Sequence, residues 1–255
     1  MRTENMSNPL SQAPNGKISG PGPAPSQPHL SLESRVAIRL SVGLILAALI
    51  LFLPAGTFRF WQAWAFLALV YLPTALIFIY FLRHDRAVVE RRLQNKERHL
   101  KQRRLMRWSK PFFLVVFLLP GLDHRLGWSR TLLEAVPLWL TLIAEVMALG
   151  SILLIGWVIK INKYASRTVQ VVTGQTVISA GPYCLVRHPL YAGSLVLWIF
   201  APLALGSFIA LPAFALLIPF YVVRLLDEEK TLRKHLAGYA AYCRRTPFRL
   251  VPFVW

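Results

Sequence analysis

Cysteine and acidic residues are scarce in this chain. Only Cys184 and Cys243 are present among 255 residues, which excludes a disulfide framework, and they lack the spacing of zinc ligands. We expect both to be reduced thiols that serve as small packing residues. Asp and Glu number 11 against 29 Lys and Arg, and charged residues make up only 16% of a chain that is 55% hydrophobic. With a mean hydropathy of +0.48, this balance predicts an integral membrane protein.

The N-terminal region has few apolar side chains. Residues 1–34 contain six prolines and three glycines among Ser, Asn and Gln, so we expect a disordered tail. It lacks the pattern of a cleaved signal peptide. The next region, 35–159, is predicted to hold four transmembrane spans, with approximate bounds Val36–Leu53, Ala63–Leu82, Phe112–Leu122 and Leu132–Ile159.

A basic segment, 83–110, separates the second predicted span from the third. It has eleven Lys and Arg against three acidic residues, with apolar residues at roughly helical spacing. This pattern predicts a basic helix on the membrane surface, in a cytoplasmic loop. Nucleic-acid binding is the alternative for such a run.

The longest apolar run is Pro189–Val223, 35 residues without a charge. As one helix it would extend about 53 Å, whereas the hydrocarbon core is about 30 Å thick. Because Pro and Gly interrupt the run, we predict a hairpin of two spans, 189–205 and 207–224, that turns near Gly206.

The distribution of positive charge tests the resulting six-span topology. With the N-terminus inside, 26 of the 29 Lys and Arg are cytoplasmic, and the other three are Arg59, Arg125 and Arg130. We therefore predict an all-α polytopic bundle with both termini in the cytoplasm, in the cytoplasmic (inner) membrane of a bacterium. The topology accounts for the net charge, so we expect no nucleic-acid partner.

Two charged motifs flank the hairpin and should meet at one membrane face. GPYCLVRHPLYAG (Gly181–Gly193) precedes its first span, and Pro189 suits the first position of a helix. Arg224 and Glu228 follow the second span, at i,i+4 spacing. The motifs could be an interfacial anchor with a surface ion pair, or they could form a charged pocket. Glu145, inside the fourth span, is a further candidate for function, although a hydrogen bond to a neighbouring helix would explain it equally well.

The order and spacing of these motifs resemble the isoprenylcysteine carboxyl methyltransferase family of integral-membrane enzymes, in its bacterial form. The resemblance covers roughly Asn162 to the C-terminus, through GQTVISAGPYCLVRHPLYAG, then RLLDEEKTL, then GYAAYCRRTPFRLVP. It implies that 160–255 is a catalytic region with a cytoplasmic cofactor pocket. It also implies transfer of a methyl group from S-adenosyl-L-methionine to a lipophilic or lipidated acceptor that arrives from the bilayer.

The family's site residues can be placed on this chain by position. Arg224 corresponds to the arginine proposed to hold an acceptor carboxylate, and Glu228 to an acid that faces the amino-acid end of the cofactor; these two are the candidate catalytic residues. No metal is implied. The candidate cofactor-binding residues are Gln175, Thr176, Val177, Ile178, Tyr183, His188, Pro189, Leu190, Tyr191 and Glu228.

Gln175 departs from the family pattern, because the eukaryotic prenylcysteine enzymes have His at that position, so the acceptor need not be a prenylated protein. A carboxylate acceptor is favoured. The alternatives are a phospholipid N-methyltransferase, which needs an amine acceptor, and an NADPH-dependent sterol or enone reductase with a similar RHP-x-Y pattern. A membrane scaffold or transporter component is a third class, but it leaves the dense motif unexplained.

Overall fold

The structure is a computed structural model that describes residues 30–93, 100–164 and 174–255. Most of the predicted tail and part of the basic loop therefore lie outside the described residues. Those that are described form helices and no strand. In chain order these are α1 Leu32–Ala55, α2 Trp61–His84, α3 Arg86–Leu93, α4 Leu100–Leu126, α5 Trp128–Leu132, α6 Leu138–Ile161, α7 Pro189–Ala204, α8 Ala210–Ala215, α9 Leu217–His235 and α10 Tyr239–Arg245.

Four of these stretches are long and apolar enough to cross a bilayer. They are α1, α2, α6 and the stretch Ala210–His235, which joins α8 to α9. Many large apolar side chains on them face outward, as Leu72 and Leu76 do on α2. Lipid is the solvent that suits such a surface. The prediction of an all-α polytopic membrane protein is confirmed, and the chain is an integral membrane protein.

The two other predicted spans correspond to helices of different character. α7 is apolar but has only 16 residues. α4 is a single helix of 27 residues that contains Pro111 and Pro120, so the apolar stretch Phe112–Leu122 is its C-terminal half rather than a separate short helix. The predicted start of the fourth span at Leu132 is wrong, because α5 ends there and Pro137 precedes the first turn of α6.

The turns after α4 and α7 meet at one end of the helices. Gly206, with φ of +69°, lets the chain reverse direction after α7, as the hairpin prediction required. The Ser207 hydroxyl then donates to Asp123 Oδ2 at 2.5 Å, and the Ser129 amide donates to Asp123 Oδ1 at 2.7 Å. Asp123 lies near the end of α4, and its side chain is buried because Ser129 of α5 and Ser207 of the turn after α7 pack over it.

The opposite end of the helices carries the connection 84–86 and the described segments 162–164 and 174–188. Here Arg86 pairs with Glu33 at 2.6 Å, and Lys163 pairs with Asp85 at 3.0 Å. These pairs attach the short helix α3 to the start of α1 and to the end of α6. α6 and α7 pack closely along their lengths, and Gly193 permits the approach because an added Cβ would lie 3.2 Å from Ile155.

Candidate active site

A buried ion pair joins the motif before α7 to the end of α9. Arg187 Nη2 lies 3.1 Å from Glu229 Oε1, and the two side chains are 5% and 4% exposed. Glu229 also accepts from Arg249 Nε at 2.8 Å and from Arg233 Nη2 at 3.2 Å. Because three guanidinium groups surround it, this carboxylate has the hydrogen bonds that a buried charge requires.

The C-terminal segment folds back over the same motif. The backbone amides of Arg187 and His188 donate to the carbonyls of Phe248 and Arg249 at 2.9 and 3.0 Å. Arg187 Nη1 also reaches the carbonyl of Thr246 at 3.2 Å. The segment after α9 therefore covers the RHP motif, Arg187–Pro189, through two backbone hydrogen bonds and one from the Arg187 side chain.

Tyr191 connects the first helix of the hairpin to the second. Its hydroxyl donates to Glu228 Oε2 at 2.5 Å. Arg224, one turn before Glu228 on α9, also interacts with the Tyr191 phenol. The hairpin thus brings together Tyr191 from one motif and the predicted pair Arg224 and Glu228 from the other.

Tyr183 lies in an aromatic cluster between the 3₁₀ turn Gly181–Cys184 and α10. Asn162 Nδ2 donates to its hydroxyl at 2.8 Å, and the Tyr242 hydroxyl donates to its carbonyl at 2.7 Å. Burial raises the pKa of Tyr183 to about 12, so the phenol stays protonated at neutral pH. Val177 and Ile178 pack on this cluster, while Thr176 is exposed and Gln175 is half-buried. The stretch 175–179 is neither helix nor paired strand among the described residues.

Three buried polar atoms around the motif have no hydrogen-bond partner among the described residues. They are Arg187 Nε, His188 Nε2 and the Tyr239 hydroxyl. Burial lowers the pKa of His188 to about 4, with Arg187 and Arg249 adding to the effect, so the imidazole is neutral at physiological pH. Buried polar groups are rarely left unsatisfied in folded proteins. A polar ligand would supply the partners that these atoms lack.

The structure also shows where the remaining predicted site residues, Pro189 and Leu190, lie. Pro189 is the first residue of α7, as its missing amide favours. Leu190 packs both on the Tyr183 cluster and on a second apolar cluster between α2 and α3.

Sequence reasoning missed Glu229, Arg249 and the two tyrosines of α10. An arginine that is buried, as Arg187 is, needs an anion beside it. The second acid of the motif LDEE was the signal in the sequence for such a partner.

The two cysteines are free thiols in different surroundings. Cys243 is buried, 3.8 Å from Glu229 Oε1, and fits the predicted packing role. Cys184 is exposed, so its side chain does not pack as expected. Within the described ranges, no group of three or more His, Cys, Asp or Glu side chains could hold a metal ion.

Comparison with known proteins finds similarity in the region that contains both motifs. Residues 141–234 match the model of the isoprenylcysteine carboxyl methyltransferase (ICMT) family. A Delta(14)-sterol reductase of Mus musculus is 33% identical over 94 residues, which are 34% of this chain and 22% of the reductase. The chain thus spans about a fifth of the length of that curated relative, and the match is regional. The part of the chain from α6 to α9, residues 141–234, is therefore similar to the isoprenylcysteine carboxyl methyltransferase family.

Proposed function

We propose that this protein transfers a methyl group from S-adenosyl-L-methionine to a membrane-associated acceptor, with a carboxylate as the acceptor group. The observation that carries the proposal is the set of buried, unpartnered polar atoms on Arg187, His188 and Tyr239. Arg187 and His188 belong to the RHP motif within the family-matched region 141–234, and Tyr239 lies directly after that region. Four apolar stretches that can span a bilayer suit an acceptor that arrives from the membrane.

The residues present are chemically suited to this cofactor. It carries a carboxylate, an ammonium, a ribose and an adenine ring, so it needs cations, an acid, polar groups and aromatic faces. In our proposal Tyr183, His188, Pro189, Leu190 and Tyr191, the backbone of 175–178 and the carboxylate of Glu228 bind it. When bound, S-adenosyl-L-methionine supplies an electrophilic methyl group on a sulfonium centre.

The protein's own contribution would be positioning and exclusion of water. Arg224 would orient the acceptor carboxylate, because a guanidinium presents two parallel donors to such a group. The Tyr191 hydroxyl would help to orient the Glu228 carboxylate through its 2.5 Å hydrogen bond. His188 is neutral and buried, so we assign it a binding role and no role as a base at neutral pH. The Glu229 network keeps the C-terminal segment closed over the motif.

We place both termini and this site in the cytoplasm, in a bacterial inner membrane. The 26-to-3 division of Lys and Arg supports that orientation. The fold is consistent with it, because the turn at Gly206 and the buried Asp123 lie at the end of the helices opposite to Arg187.

A reductase that uses NADPH is the second candidate, and the match to the Delta(14)-sterol reductase favours it. Calorimetry on the full chain in detergent separates the two, with S-adenosyl-L-methionine and NADPH titrated in parallel. Binding of the former alone supports the methyltransferase, and binding of NADPH alone overturns it.

The acceptor class needs a second measurement. Membranes that contain the protein would be incubated with methyl-labelled cofactor, and the labelled products treated with mild alkali. A carboxyl methyl ester releases labelled methanol, whereas the N-methyl group of a methylated phospholipid does not. Label that is stable to alkali would indicate that the acceptor group is an amine and not a carboxylate.

A further inference from the structure

A cavity of about 360 Å³ lies between α1, α2, α3 and α6, outside the candidate active site. Its volume falls in the range of small-molecule sites, about 300–1,000 Å³. Its walls are mostly aliphatic and aromatic side chains, including Val36, Phe78, Phe81 and Ile159. Such walls suit a hydrocarbon chain, since apolar surface is buried on both sides of the contact.

The cavity is elongated along the helices. On α2 its lining residues run from Tyr71 to Phe81, which is about 15 Å at 1.5 Å per residue. On α6 they run from Ile152 to Ile159. A ligand in it would therefore lie roughly parallel to the bilayer normal, as the chain of a lipid does.

Two arginines line the cavity near one end. Arg39 is in the second turn of α1, and Arg92 is near the end of α3. No acidic residue of the described chain lines the cavity. A ligand that places an anion at this end would complement the charge of the wall.

The arginines lie at the membrane-surface end of the cavity. Arg39 is one turn from Gly43, and Gly43, Tyr71 and Thr74 line the cavity towards the middle of the spans. Arg92 also acts electrostatically on Tyr183, so this end adjoins the connection before α7. The polar end thus matches the depth of a headgroup, and the apolar end matches the depth of an acyl chain.

We propose that this cavity binds an anionic amphiphile, with its acid group at Arg39 and Arg92 and its hydrocarbon chain along α2 and α6. The site is distinct from Arg224 and Glu228, and the proposal holds whether or not the protein is a methyltransferase. Leu190 connects the two regions, because it packs on the apolar cluster beside the cavity and also on the Tyr183 cluster.

The test compares oleate with methyl oleate, two probes that differ in one charge. Binding of tritiated oleate to the purified full chain in non-ionic detergent is measured, with methyl oleate as competitor. We expect oleate to bind at least about ten-fold more tightly than the ester, as a charge-assisted hydrogen bond predicts. Equal affinity for acid and ester would overturn the proposal, since an apolar cavity alone would then explain the binding.

Matched arginine variants locate the site. Arg39→Gln and Arg92→Gln should each weaken oleate binding about ten-fold and leave methyl oleate unaffected. The controls are Arg35→Gln on α1 and Arg91→Gln on α3, whose side chains do not line the cavity. If the controls lose as much affinity as the test variants, the effect is general surface charge and the assignment fails.

A variant that fills the cavity tests the location of the ligand without changing any charge. Thr74 lines the cavity and is half-buried. Thr74→Phe should weaken oleate and methyl oleate together, and circular dichroism in the same detergent checks that the helices are retained. Unchanged binding of both probes in a folded Thr74→Phe protein would place the ligand elsewhere.

Discussion

The guanidinium of Arg187 lies 3.1 Å from the carboxylate of Glu229, and both side chains are almost completely buried. Removal of one partner leaves the other charge uncompensated, which costs about 3–5 kcal/mol in a buried pair. We therefore expect Glu229→Gln to lower the thermal midpoint strongly. It should also loosen the C-terminal segment, which hydrogen exchange of residues 246–250 would report.

Glu228→Gln is the matched control for that experiment. The two acids are adjacent on α9, but Glu228 is only partly buried and the Arg187 ion pair does not use it. Its substitution should reduce stability less than Glu229→Gln does. Equal losses for the two variants would show that the Glu229 network does not hold the C-terminal segment in place.

The second prediction separates cofactor from acceptor on α9. If Glu228 binds the ammonium of the cofactor, Glu228→Gln should weaken S-adenosyl-L-methionine binding by about ten- to a hundred-fold, the value of a charge-assisted hydrogen bond. Calorimetry measures this directly. Arg224→Lys should leave that affinity nearly intact and slow turnover, because an ammonium lacks two parallel donors. If neither variant changes affinity or turnover, these residues have no part in the site.

The third prediction concerns pH. His188 has a folded-state pKa of about 4, below the ordinary value of 6.5. As the pH falls below 6.5 the unfolded chain takes up a proton at this histidine, while the folded protein does so only near pH 4. The free energy of unfolding should therefore decrease across that window by up to about 3 kcal/mol and change no further below it.

His188→Gln removes that contribution, so its thermal midpoint should vary less between pH 6.5 and 4 than that of the wild type. His235→Gln is the control, since this histidine is exposed in the last turn of α9. Other groups titrate in the same range, so the comparison is the difference from wild type at each pH. A wild-type slope in the His188→Gln protein would show that the imidazole is charged when folded.

The hairpin was predictable because it depends on local properties of the sequence. A run of 35 uncharged residues is too long for one span, and Gly206 supplies the backbone conformation of the turn. The position of Pro189 at the first turn of α7 follows in the same way from its missing amide. These are consequences of chain geometry, so no knowledge of tertiary contacts is needed.

The ion-pair network was not predictable, because it depends on tertiary packing. Glu229 is adjacent to Glu228 in a charged motif, and only the folded C-terminal segment makes one of them buried. The burial of Asp123 likewise depends on packing, because Ser129 and Ser207 from other parts of the chain bind its carboxylate. In both places the sequence shows which charged residues are present, but it does not show which groups they contact in the folded protein.

The last prediction tests the orientation of the protein in the membrane. Arg59, Arg125 and Arg130 are exposed and lie near the turns after α1 and α4, at the end away from the RHP motif. Each would be replaced by cysteine, and intact cells treated with a maleimide that does not cross membranes. We expect the three new thiols to react in intact cells, because basic residues outside are the exceptions to the positive-inside rule. The native Cys184, exposed at the other end, should react only after the cells are made permeable. Labelling of Cys184 in intact cells, with protection of the three new thiols, would reverse the orientation and move the candidate active site to the outer face.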